Sequence, residues 1–478
     1  MSDARGTSTA TPPASAPATR TERDSLGPLE VPADAYYGVQ TARAVANFPI
    51  SGERLHPEMV RAAVRIKVAA ARANAELGVL DAKKAEAIEA AAQEILDGKH
   101  ADQFVVDAFQ AGAGTSFHMN VNEVIANRAC ELMGGKRGDH SLVHPNDHVN
   151  MAQSTNDVIP TSIRIAAHVL AGPLEEETRR LADSFDAKAR EFAHVLKSGR
   201  THLQDAVPIT LGQEFSGYAE CVRGWSESLR RSREGLLDLG IGGNAAGTGI
   251  NAHPKYRERT VAHLAKITGT PFRSSKNLFE AMQSMAPFVR LSNDLRGLAL
   301  DLTRIANDLR LLVSGPTTGF DEIALPVMQP GSSIMPGKVN PVIPEMTNMV
   351  CYQVLGYDTT VALASQAGQL ELNVMMPVIA HNLLRAEALL TSTLRVLRTK
   401  CVDGITANED VAREYFERSI SLATALNPYI GYAKAAEVAK ESAKTGKTVV
   451  EIVRERKLLT EDQIAKAFSP ENMTHPGA

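Results

Sequence analysis

Leu291, Leu295, Leu298, Leu302, Ile305, Leu309 and Leu312 recur at alternating steps of four and three, the spacing that lines apolar side chains along one stripe of an α-helix. Ile379, Leu383, Ala386, Leu390 and Leu397 repeat the rule on another helix. A third stretch runs through Ile163, Ala167, Leu170, Leu174, Leu181, Phe185 and Phe192, longer than an ordinary globular helix. Met59 to Leu77 is Ala-rich and stops at Gly78, and Asp81 is placed to cap a helix ending near Gly98. The segment LGPLEVPADAYYG at 26–38 has the proline and glycine spacing of an extended, turn-rich entry. Beyond Cys401 the periodic segments shorten, and Thr460 to Gln463 forms a capping-box signature. The pattern predicts an all-α chain built on an elongated bundle, without internal repeats.

Long helices with apolar seams commonly bury part of that surface against other subunits, so an oligomer is expected, with a monomeric bundle the alternative. The pattern divides the chain into a disordered tail at 1–22, an N-terminal helical domain at 23–155, a central bundle at 156–402 and a small helical C-terminal domain at 403–478. The tail is rich in Ser, Thr, Ala and Pro and lacks the apolar core of a signal peptide. Lys plus Arg total 51 against 55 Asp plus Glu over 478 residues. That balance gives no support for a nucleic-acid or membrane-surface role. No run of eighteen apolar residues spans a membrane. Cys130, Cys221, Cys351 and Cys401 are far apart and form no CxxC pair, which suits a reduced, cytoplasmic protein rather than a disulfide framework or zinc site.

Candidate chemistry lies where small polar residues interrupt the helices. GSSIMPGKVNP at 331–341 crowds glycines, serines, a lysine and an asparagine into a shaped loop. It fails the phosphate-cradle pattern GxxxxGK[ST], because five residues separate Gly331 from Gly337 and Val339 replaces the hydroxyl. AGAGTSFHMNVNE at 111–123, HPNDHVNMAQSTNDVIPT at 144–161 and SGRTHLQDAVPIT at 198–210 are each expected beside a helix N-terminus, where free N–H groups favour an anion. Helix capping explains any one of them alone. Together Thr115, Ser154, Thr155, Asn156, Thr201, His202, Ser332, Lys338 and Asn340 supply donors, one cation and one imidazole, an inventory suited to a small dicarboxylate rather than a metal or sugar. His144 and His148 stand four apart, yet Pro145 between them favours a surface turn over a metal-binding helix face.

The loop at 331–341 resembles the aspartase/fumarase signature GSSxMPxKxNP, and the likeness extends from about Arg23 into the C-terminal segment. The resemblance implies three helical domains, a central five-helix bundle that joins others in a twenty-helix tetramer core, and active sites each shared by three subunits of a homotetramer. It makes Ser332 the base that removes a Cβ proton, helped by Lys338 and loop amides. Thr115, Ser154, Thr155 and Ser333 would hold the resulting aci-carboxylate, and Thr201, Lys338 and Asn340 the α-carboxylate. Asn156 and His202 would face the leaving group, with Glu345 orienting the histidine. No cofactor and no metal is implied.

Within that family, Thr155 in QSTND, the run NPVIPE at 340–345 and PADAYYG at 32–38 look like aspartases rather than class II fumarases, which carry Asn-Pro-Thr-Gln-Cys-Glu. The expected reaction is reversible deamination of L-aspartate to fumarate and ammonia. A malate/fumarate hydro-lyase is the alternative, and a catalytically silent helical bundle or a partner-binding scaffold a remoter one. Phe117 and His118 depart from the family, where a small or medium residue is followed by asparagine. The imidazole would add a donor, shift the pH optimum or alter the substrate, or be a tolerated substitution behind the site.

Overall fold

The computed structural model describes residues 18–476. Two strands open it, β1 (Thr19–Asp24) and β2 (Gly27–Pro32), followed by helices α1 (Val39–Asn47), α2 (Pro57–Glu76), α3 (Ala82–Leu96), α4 (Thr115–Leu132) and the long α5 (Thr155–Glu191). A hairpin of β3 (Leu196–Thr201) and β4 (Gln204–Thr210) precedes α6 (Leu211–Glu234), α7 (Tyr256–Thr268), α8 (Leu278–Gln283) and α9 (Ala286–Leu312). Then come α10 (Val342–Gln366), α11 (Met376–Lys400) and the shorter α12 (Glu409–Arg418), α13 (Asn427–Thr445), α14 (Val449–Glu455), α15 (Glu461–Ala467) and α16 (Pro470–Thr474). The all-α expectation holds, since among the described residues the strands form only two-stranded ribbons.

One correction falls at the start. Thr19–Asp24 pairs antiparallel with Gly27–Pro32, and the Arg20 guanidinium reaches the carbonyls of Pro32, Ala35 and Tyr37, so order begins before residue 23. The rest of the expected tail, residues 1–17, lies outside the described residues.

The chain divides into two compact units. The first runs to Ala166 and adds Leu236–Ala286 and Leu363–His381. Here α2 is the hub. Its alanines Ala62, Ala63, Ala69, Ala70 and Ala73 are fully buried, which lets α3 and α7 approach closely. Tyr256, the first residue of α7, packs on Ala70 and Ala73. Glu94 on α3 pairs with Arg128 on α4 at 2.7 Å. Glu123 on α4 takes the N–H groups of Gly38, Gln40 and Thr41 and the Thr41 hydroxyl, satisfying the first turn of α1.

The second unit comprises Ala167–Gly235, Pro287–Ala362 and the chain from Asn382 onward. The whole Leu291–Leu312 stripe of α9 is buried there. Gly297 is required on that helix, because a Cβ would stand 2.0 Å from the ring of Trp225 on α6, whose Nε1–H donates to Asp301 at 2.7 Å. Phe185, Phe192, Phe215 and Tyr218 form an aromatic cluster between α5 and α6. The capping box at Thr460 and Gln463 is present, and Leu422, Leu426, Val438, Ile452 and Ile464 build the core of the C-terminal helices. Among the described residues, no helix is long and apolar enough to cross a membrane. All four cysteines are free.

Candidate active site

Two of the polar stretches sit at helix N-termini in the first unit. Thr115 is the first residue of α4, entered through Ala113 and Gly114 at positive φ of 61° and 85°. This bend packs against Ile159, whose side chain would lie 3.2 Å from a Cβ at Gly114. Ser154 stands immediately before α5. Its hydroxyl accepts the Asn156 N–H at 3.2 Å, while its own N–H donates to Asp157 at 2.9 Å. That reciprocal cap fixes the turn carrying Thr155 and Asn156. Asn156 donates its amide hydrogen to the Ala245 carbonyl at 2.8 Å, leaving its side-chain oxygen as an acceptor.

Behind this turn lies a buried polar cluster. Asp157 is fully buried and also accepts the N–H groups of Gly242 and Asn244, which pins the glycine-rich 240–251 segment to the start of α5. Burial pushes its carboxyl up to about 6 against those hydrogen bonds. His118 on α4 bonds the Thr155 hydroxyl through Nδ1 at 2.8 Å and Lys67 Nζ through Nε2 at 2.6 Å. Lys67 also reaches Asn150 at 3.0 Å and Gln153 at 2.9 Å. Burial holds both Lys67 and His118 well below their ordinary pKa values; the Asp157 charge opposes this for the lysine, and the lysine's own charge reinforces it for the imidazole. Phe117 is buried, and its N–H is held by Gln110 at 2.7 Å.

In the second unit the 198–210 stretch forms the β3–β4 hairpin and ends, as expected, at a helix N-terminus. Only Thr210, at its end, caps a helix. Thr201 pairs with Gln204 across a two-residue turn, and His202 and Leu203 adopt positive φ of 56° and 58°. Such turns favour Asn-Gly, and each L-residue held there costs about 1–2 kcal/mol. The hairpin base is anchored by Lys197 and Arg200, which pair with fully buried Glu322 at 2.8 and 2.9 Å. An exposed imidazole is thus presented at the end of a rigid stem.

The 331–341 loop closes on itself. The Gly331 N–H donates to the Lys338 carbonyl at 2.9 Å, and the Asn340 amide donates to the Gly331 carbonyl at 2.8 Å. A Cβ at Gly331 would lie 2.3 Å from Lys338 O, so glycine is obligatory. Within this frame the Ser332 hydroxyl accepts the backbone N–H groups of Ile334 at 3.2 Å and Met335 at 3.0 Å. Ser333 and Lys338 are exposed, and Glu345 lies in the first turn of α10.

Thr115, Ser154, Thr155 and Asn156 therefore belong to one unit, and Thr201, His202, Ser332, Ser333, Lys338, Asn340 and Glu345 to the other. Among the described residues, no hydrogen bond or ion pair joins the loop to Thr201 or His202, or Glu345 to His202. A cavity of the first unit, ≈ 490 Å³ and lined by Arg23, Arg43, Glu123, His140 and His144 among others, contains none of these residues. His144 caps a single π-helical turn, Pro145–Val149, and its N–H donates to His148 Nδ1. Since His148 Nε2 meets Lys84 at 3.0 Å, both of its ring nitrogens are engaged. Lys67, Asp157 and the 240–251 segment escaped the sequence reading. Their signals were a lysine on the apolar face of α2, an acid three residues after Ser154, and glycines clustered without helical period.

The profile of the Lyase family matches residues 27–356, and that of the Fumarase C C-terminus matches 422–475. The aspartate ammonia-lyase of Bacillus sp is 49% identical over 96% of this chain and 98% of its own length. The cobalt-bound crystal structure of fumarate lyase:delta crystallin from Brucella melitensis superposes with a TM-score of 0.93 at 50% identity, covering 96% of this chain and all of that one. Recombinant class II fumarase from Schistosoma mansoni gives the same TM-score at 37% identity, over 96% of this chain and 100% of its own. The fold is the all-α aspartase/fumarase fold, and the chain belongs to the aspartase/fumarase superfamily of lyases.

Proposed function

We propose that this lyase reversibly eliminates ammonia from L-aspartate to give fumarate, with Ser332 as the base. The observation that carries the reading is the pair of backbone N–H groups, from Ile334 and Met335, donated to the Ser332 hydroxyl. A serine is too weak an acid to serve as a base unaided, and amides aimed at its oxygen stabilise the alkoxide. That oxygen takes the Cβ proton, and the electron pair moves into the neighbouring carboxylate to give an aci-carboxylate. Its added charge is held by Thr115, Ser154, Thr155 and Ser333. The pair then returns to form the double bond as the Cα–N bond breaks and the nitrogen leaves with its electrons.

Thr201, Lys338 and Asn340 hold the α-carboxylate in this reading. The Asn156 side-chain oxygen, left free to accept by the bond to Ala245, and a ring nitrogen of His202 receive the α-ammonium, with Glu345 orienting the histidine. The relatives named aspartate ammonia-lyase, at 49% identity, support the substrate. A class II fumarase activity is the second reading, favoured by the full-length likeness to the Schistosoma enzyme. Neither reading calls on a metal or cofactor.

The reading takes 23–155, 156–402 and 403–478 as three domains, and places the chain in a homotetramer whose sites draw on three subunits. The absence, among the described residues, of any hydrogen bond or ion pair between the 331–341 loop and Thr201 or His202 fits such sharing. So do Met349 and Tyr352, 68% and 56% exposed on α10, an apolar face of the kind subunits cover. Ser332→Ala tests the base: the variant should assemble normally and lose turnover by about 10³-fold or more, in line with loss of an activated base. Turnover within tenfold of the parent would remove Ser332 from the role.

A further inference from the structure

We infer that His118 is a positioning residue that fixes the Thr155 hydroxyl as a hydrogen-bond donor toward the substrate carboxylate, with Lys67 setting the imidazole tautomer from behind. The inference rests on the reading of Thr155 as a carboxylate donor.

The assignment follows from donor and acceptor bookkeeping. The Asn150 amide nitrogen donates to the Gln153 carbonyl at 3.3 Å. The Gln153 amide nitrogen donates to the carbonyls of Val149 and Met151 at 3.1 and 3.2 Å. Both amide oxygens therefore face Lys67, at 3.0 and 2.9 Å. An ammonium has three donors and no acceptor. Its third neighbour, His118 Nε2 at 2.6 Å, accepts. A neutral imidazole that accepts at Nε2 carries its proton on Nδ1. That N–H donates to Thr155 Oγ1 at 2.8 Å.

A hydroxyl that accepts in this way keeps its own hydrogen for another acceptor. Among the described residues no group takes it, and Thr155 is only partly buried at the first residue of α5. Lys67 is fully buried and His118 is 1% exposed, so water does not compete for either. Burial weakens the hold of Lys67 on its proton; the Asp157 carboxylate and the two amide oxygens oppose this and favour the ammonium, and burial together with the lysine charge keeps the imidazole neutral. The opposite tautomer would make Thr155 donate inward and present only lone pairs to an anion.

Two isosteres separate the contacts. In His118→Asn the amide nitrogen takes the place of Nδ1 and still donates to Thr155. In His118→Gln the amide oxygen takes the place of Nε2, satisfies Lys67 and leaves Thr155 without a donor. With L-aspartate as the probe, His118→Gln should lower kcat/KM about tenfold, the larger share in kcat because the charge that Thr155 holds grows in the aci-carboxylate; this is the scale of one hydrogen bond to a charged group. His118→Asn should stay within about threefold of the parent, and His118→Gln should add nothing in a Thr155→Val background. A parental kcat/KM in His118→Gln, or an equal penalty in the Thr155→Val background, would overturn the inference while leaving the carboxylate role of Thr155 intact. A parental kcat/KM in Thr155→Val would overturn that role and the inference with it. Should His118→Gln not assemble, Lys67→Met gives the same answer: a lowered kcat/KM, with no further loss in the Thr155→Val background, is expected, and an unchanged kcat/KM refutes the tautomer assignment.

Discussion

The Ser332 hydroxyl accepts the Met335 backbone N–H at 3.0 Å, so the proposed base and the amide that stabilises its charged form lie three residues apart on one self-closed loop. The loop depends on close backbone approach at Gly331, where a Cβ would meet the Lys338 carbonyl at 2.3 Å. Gly331→Ala should therefore open the loop, moving Ser332 and Lys338 together. An activity loss of about 10²-fold is expected, the scale of a misplaced catalytic group. The thermal midpoint should hardly change, because the loop is exposed and contributes little to the core. Calorimetry beside initial rates checks both halves.

Sharing of sites between subunits has its own signature. Ser332→Ala and Thr201→Ala chains, each inactive alone, should regain part of the activity when unfolded, mixed and reassembled, because some sites then receive one intact copy of each element. Verified mixed tetramers without activity would place both residues of a site in one chain.

The α3–α4 contact sets a pH limit on stability. Arg128, with help from His100, holds the Glu94 carboxyl down to about 2 against an ordinary value of 4.5. A depressed folded-state pKa means that the stabilisation is complete above the ordinary value and is lost as pH falls toward the folded one. Glu94→Gln should melt below the parent at pH 7. The gap should close between about pH 4.5 and 2, as followed by thermal melts across that range.

What could be read from sequence tracks the range of the forces involved. The α9 stripe was legible because helix periodicity repeats locally, and every member from Leu291 to Leu312 is buried. The Ser332 loop was legible because its glycines and proline restrict backbone shape within eleven residues. The helix start after Thr210 was legible, but the β3–β4 hairpin before it was not, since its turn carries His202 and Leu203 where turn chemistry favours Asn-Gly. Its geometry is instead held from afar by Glu322 on Lys197 and Arg200. The first strand was misread as tail because its pairing partner, not its composition, orders it. His118 stood out as unusual, but its link to Lys67 joins two helices across 51 positions, and no local pattern announces such a contact.

The central claim is the substrate, and the fold does not decide it, because an aspartase and a fumarase share this architecture. The claim turns on the leaving group: a free acceptor at Asn156 and a ring nitrogen of His202 suit an ammonium, whereas a departing hydroxyl needs a proton from a well-placed acid. Mismatches of this kind discriminate by about 10⁴-fold or more when the polar groups are buried. The direct test offers L-aspartate and L-malate separately to the purified protein and follows the absorbance of the fumarate double bond. The account predicts fumarate from aspartate, with malate turned over orders of magnitude more slowly. Faster formation from malate would contradict it.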